Sequence, residues 1–74
     1  MKSIDIHNHV YVHKDQMHQA RDWCEQQWGK QWNALDNRDG LWSCFWGGQK
    51  HYTEYRFSFA HEQHAVFFAL RWAR

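Results

Sequence analysis

Residues 61–74, "HEQHAVFFALRWAR", decide the fold, because they satisfy two periodicities at once. Ala65, Phe68, Ala69 and Trp72 share one face of a helix, whereas Val66, Phe68, Leu70 and Trp72 alternate as they would in a strand. A helix would close the chain as β-α-β-β-α; a strand would close it as β-α-β-β-β. The polar run His61 to Gln63 offers a first helical turn, and the apolar residues cover more than one side, so the helical reading is favoured.

Two strands precede this segment. "LWSCFW" (41–46) and "YTEYRFSF" (52–59) flank "GGQKH", whose glycine pair permits the positive φ of a hairpin loop. In the second of these, Tyr55, Phe57 and Phe59 alternate with Glu54, Arg56 and Ser58. Upstream, Met17, Ala20, Cys24 and Trp28 recur at helical spacing, with Asp15 as expected N-cap and Gly29 as expected stop. "LDNRDG" reads as a polar turn. Residues 3–13 alternate again: Ile4, Ile6, Val10 and Val12 lie on one side with Asn8 between them, and Asp5, His7, His9, Tyr11 and His13 on the other. This is a strand with one face on the core. The expectation is one small α+β domain over residues 1–74: β-α-β-β-α, a three-stranded, mostly antiparallel sheet with two helices on one face.

A chain of 74 residues buries only about 60–65% of its unfolded surface, so its core needs few, large side chains. Six Trp, five Phe and three Tyr supply them, in excess of what such a core easily encloses. The surplus points to self-association or a partner. Net charge is +1, without the field expected of a general nucleic-acid or anionic-membrane binder. No apolar run approaches the ~18 residues of a membrane span, and no signal-peptide pattern opens the chain, so a cytoplasmic setting with two free thiols is expected.

The histidine row poses a metal question. "IDIHNH" (4–9) resembles the first-strand motif of amidohydrolase-type metal enzymes, but those are barrels of about 250 residues. His7, His9 and His13 project from one side of the strand, His7 and His9 about 7 Å apart, and form the candidate metal set. A solvated open sheet face explains the same residues without further ligands, and no cofactor is expected. Cys24 lies on the apolar helix stripe and Cys44 in a Trp-rich strand, as inert core thiols do, so no catalytic residue is assigned. Tyr11, Tyr52 and Arg56 would make a base-stacking platform, though the near-neutral charge argues against nucleic acid. Trp42 and Trp46 share one face of their strand; one phase of the sheet exposes both indoles as an interface, and the other buries them.

Taken together, "RDWCEQQWGKQW", "GLWSCFWGG" and "YRFSFAHEQHAVFFALRW" (within residues 21–72) resemble a pattern in small uncharacterised proteins of tailed bacteriophages. That resemblance implies a protein that inhibits or modulates a host protein in the cytoplasm of the bacterial host cell; the lack of a complete catalytic constellation adds that it is non-enzymatic, and the surplus aromatics that it is dimeric or otherwise homo-oligomeric. The expected contact residues are Trp42, Trp46, Tyr11, Tyr52 and Arg56. A metal-binding module, a single-stranded nucleic-acid binder and a minor virion component are the alternatives.

Overall fold

A computed structural model describes residues 8–72. The elements are β1 (His9–His13), a 3-10 turn (Lys14–Gln16), α1 (Met17–Trp28), β2 (Trp42–Trp46), a second 3-10 turn (Gln49–His51), β3 (Glu54–Phe59) and α2 (Glu62–Trp72). The sheet order is β1-β3-β2, and β3 runs antiparallel to both neighbours. The fold is α+β, with β-α-β-β-α order. Because β1 and β2 both oppose β3, they are parallel to each other, and α1 is the crossover that carries the chain from one edge to the other.

The tail is a helix, and burial shows why the alternation in it does not prevail. A strand would set Phe68 and Leu70 on one side, whereas a helix turns them about 200° apart. Phe68 is 0% exposed and Leu70 81%. Phe68 stacks on Phe57 of the central strand at 4.7 Å between centroids and meets Phe59 at 5.1 Å. Met17, Ala20 and Cys24 of α1 and Ala65 and Phe68 of α2 join Val12, Trp42, Phe57 and Phe59 of the sheet in one core. Both helices therefore cover the same sheet face.

Period-two parity sorts the strands cleanly. Register places Val10 opposite Phe57, and Phe57 opposite Cys44, all on the core side. Asn8 keeps the parity of that side: it is buried, and its Nδ2 donates to the Phe59 carbonyl at 3.0 Å.

Several boundaries differ from the sequence reading. Strand β1 is observed from His9, and residues 3–7 lie outside the described residues. Asp15 is not the cap of α1; it sits within the 3-10 turn, where its N–H donates to His13 Nδ1 at 3.1 Å, and the α-helical turn begins only at Met17. Gly29 does stop α1, donating its N–H to the Glu25 carbonyl. Of the hairpin glycines only Gly48 takes a positive φ, 89°. The loop then coils through its 3-10 turn, which leaves Tyr52 in the connection instead of on β3. Trp42 requires the largest correction: it is 3% exposed, with its Nε1 donating to the Gly29 carbonyl at 2.8 Å. The sheet takes the phase that buries this indole, because Phe57 and Phe59 on β3 leave β2 no other side to face the helices.

Phe68→Ala should cost about 3–5 kcal/mol, comparable with the whole ~4–11 kcal/mol expected of a domain this size, and largely unfold it at 37 °C. Leu70→Ala should stay within about 0.5 kcal/mol of the parent. Thermal melts followed by circular dichroism separate the two; equal losses would contradict the helical placement.

Candidate functional site

The face of the sheet away from the helices carries three side-chain rows set by register. His9, Ser58 and Ser43 cross it at one end; Tyr11, Arg56 and Phe45 cross the middle; His13 and Glu54 cross the other end. The sequence reading named His9, Tyr11, His13 and Arg56 as residues of this face, and the structure brings them together there. Tyr52 and Trp46 meet elsewhere, at the β2–β3 connection, where Trp46 Nε1 donates to the Tyr52 carbonyl at 3.0 Å. Their exposures are 55% for Trp46 and 70% for Tyr52. Trp42 belongs to neither group.

The open face is polar but internally bonded. Ser58 Oγ and His9 Nδ1 are 2.8 Å apart, and His13 Nδ1 holds the Asp15 backbone with the Asp15 carboxylate 3.5 Å away. His7 lies outside the described residues, and among those described no group of three His, Cys, Asp or Glu is placed to hold a metal ion. Sequence reasoning missed His51. Its ring stacks on Tyr11 at 4.0 Å, and its Nδ1 is 2.9 Å from Glu54 Oε1. The histidine comes from the hairpin loop, where no periodic signal marks which face it will cover.

A cavity of about 510 Å³ opens over the Ser43–Ser58–His9 end of this face. Arg56 and Phe45 border it from the sheet, and Trp32 and Arg38 from the loop between α1 and β2. That loop is tied to itself. Asn33 Oδ1 accepts from the Leu35 and Asp36 N–H groups, Asn37 Nδ2 donates to the Lys30 and Gln31 carbonyls, and Arg38 Nε donates to the Ala34 carbonyl at 2.9 Å. Trp32 N donates to the Trp42 carbonyl at 2.7 Å, and a Cβ on Gly40 would come within 2.4 Å of Trp32 Cα. Glycine at 40 thus lets the loop close and hold Trp32 at the cavity wall. The pair Asn33 and Asn37 was the available signal, since both are residues that bond their own backbone in turns.

The thiols are free and unlike nucleophiles. Burial pushes Cys24 up to about 12, helped by the neighbouring Cys44, and pushes Cys44 up to about 11 against the opposing pull of Arg21. Both are protonated at neutral pH. No described helix is long and apolar enough to cross a membrane.

No family profile, curated protein or solved structure matches the chain. Its chemistry is therefore argued from its own residues.

Two solution properties follow from these groups. A thiol reagent such as Ellman's should release little colour from the native protein at pH 7 and the signal of two thiols in denaturant; fast native reaction would contradict the raised values. His64 stacks on Trp28 at 4.6 Å, and burial, with His61 beside it, holds its pKa below the usual 6.5. The fold disfavours its protonation, so the associated stability is present above pH 6.5 and is lost as pH falls through the lower folded value. His64→Phe should accordingly lose less melting temperature than the parent between pH 7.5 and 5.

Proposed function

We propose that the chain is a non-enzymatic binding protein that engages another protein through the exposed aromatic end of the β2–β3 hairpin. The observation that carries this reading is that Trp46 and Tyr52 are both exposed at the hairpin end, with the Trp46 indole tied to the Tyr52 backbone carbonyl. Large aromatic side chains with a polar handle dominate the energetics of protein interfaces, and here the Trp46 indole is tied before binding. The raised thiol pKa values support binding over nucleophilic catalysis. The resemblance to tailed-phage proteins makes a bacterial host protein the class of partner, with inhibition or modulation as the outcome, in the host cytoplasm.

Self-association has a separate support. Val66, Phe67 and Leu70 lie exposed along the outer side of α2. An apolar stripe of this kind on a helix suits burial against a second copy, which keeps the dimer in the reading.

Trp46→Ala and Tyr52→Ala should retain the melting temperature to within a few degrees and lose capture of a stoichiometric partner from bacterial lysate. Capture undiminished in both variants would remove the hairpin end as the contact surface. Leu70→Lys should shift the sedimentation coefficient toward that of a monomer; an unchanged coefficient would remove α2 from the self-association surface.

A further inference from the structure

Arg56 stands in the centre of the open sheet face, between Tyr11 on β1 and Phe45 on β2. Its Nε is buried and has no acceptor among the described residues. A buried guanidinium N–H without a partner is costly and calls for an acceptor, an anionic one above all. Arg56 borders the 510 Å³ cavity, and so does Arg38, whose Nε is committed to the Ala34 carbonyl while no carboxylate pairs with either guanidinium among the described residues. Among the described residues the cavity wall carries no Asp or Glu. By contrast, the cavity of about 710 Å³ beside the same loop is lined by Glu25, Asp36 and Asp39 against a single cation, Lys30. The two differ in sign, and only the first suits an anion.

The same wall carries flat apolar surface. Trp32, 40% exposed, enters from the loop, and Phe45, 48% exposed, from the sheet edge. The bonded pair of Ser58 Oγ and His9 Nδ1 adds a hydroxyl and an imidazole at the floor. Two guanidiniums for a phosphate, aromatic rings for a planar base and hydroxyl chemistry for a sugar describe one ligand class. The volume lies within the roughly 300–1,000 Å³ of small-ligand sites.

We propose that this cavity is a nucleotide site, in which Arg56 and Arg38 bind the phosphate and Trp32 or Phe45 stacks on the base. The net charge of +1 favours a single nucleotide over a long strand, because a strand is held by many phosphate contacts along a basic track and the near-neutral chain supplies little net field for one. The site uses residues other than Trp46 and Tyr52, so it stands or falls independently of the protein-binding reading.

The test is two-dimensional NMR titration of the isotope-labelled chain at low salt with adenosine monophosphate, adenosine, inorganic phosphate and a short single-stranded oligoadenylate. Adenosine monophosphate should shift the Trp32 indole and the Phe45, Arg56 and Ser58 amides saturably, and bind about tenfold or more tighter than adenosine or phosphate alone. Arg56→Gln and Arg38→Gln should each weaken it by about tenfold or more, while the Ala20 and Cys24 resonances stay in place. Trp32→Leu should weaken adenosine and its monophosphate alike. Tighter binding of the oligonucleotide, lost in the same variants, would assign the nucleotide to a strand; equal or weaker binding would assign it to the free molecule. No saturable shift with either at millimolar concentration, or shifts undiminished in the arginine variants, would overturn the proposal. Should Arg56→Gln fail to fold, Arg38→Gln on the loop decides alone.

Discussion

Phe68 packed on Phe57 is the contact on which the remaining structure depends. Both rings are 0% exposed, one on α2 and the other on the central strand, so their stacking joins the last described helix to the strand that pairs on both sides. Around it the remaining layers fall into place: Trp42 stacks beside Phe57 at 6.2 Å, Phe59 and Trp72 flank Phe68, and Ala20 and Cys24 of α1 close the core from the other side. Small residues at 20, 24 and 65 let two helices approach a sheet whose side chains are large. A short chain reaches adequate burial in this way, by pairing bulky rings with residues that take little space.

Once Phe57 points to the helices, strand parity leaves no freedom about Arg56. It must point to the open face, with Tyr11 and Phe45 as its cross-strand neighbours. The core therefore sets the chemistry of the opposite surface. It also explains the fate of the two β2 indoles. Trp42 and Trp46 share the core side, but Trp42 belongs to the packed core while Trp46, opposite Tyr55 at the hairpin end of the strand, is exposed. Position along the strand, not side, separates a core residue from a surface one.

Much of the fold was legible because its determinants are local. Alternation in 54–59 and the Met17, Ala20, Cys24 stripe each state one period, and the elements formed where they say. The C-terminal helix was harder, since "AVFFALRW" fits both periods; a tertiary contact, Phe68 on Phe57, resolves it. The site was less legible. Parity placed Tyr11 and Arg56 on the open face, where they lie; Tyr52 and Trp46 were chosen by residue type and lie exposed at the hairpin end. Trp32, Arg38 and His51 come from connections, where no period tells which surface a side chain will reach. Trp42 was ambiguous for a different reason: alternation gives two sides without saying which is inner, and the distribution of large apolar residues on the neighbouring strand decides.

The surplus of aromatic residues can now be divided by what holds each ring. Phe57, Phe59, Phe68 and Trp42 are held by the core, and Trp23 and Trp28 by ring contacts with each other and with Phe67. Trp32 is held by backbone, through its N–H to Trp42 and the close approach of Gly40, and Trp46 by its indole bond to Tyr52. The last two remain accessible, Trp32 with its backbone tied and Trp46 with its indole tied. A ring immobilised in solvent loses little further freedom when it is covered, so its apolar area is realised more fully as affinity. With a net charge of +1 there is little long-range field, so the recognition proposed here would rest on contact: exposed rings, and two guanidiniums that border one cavity.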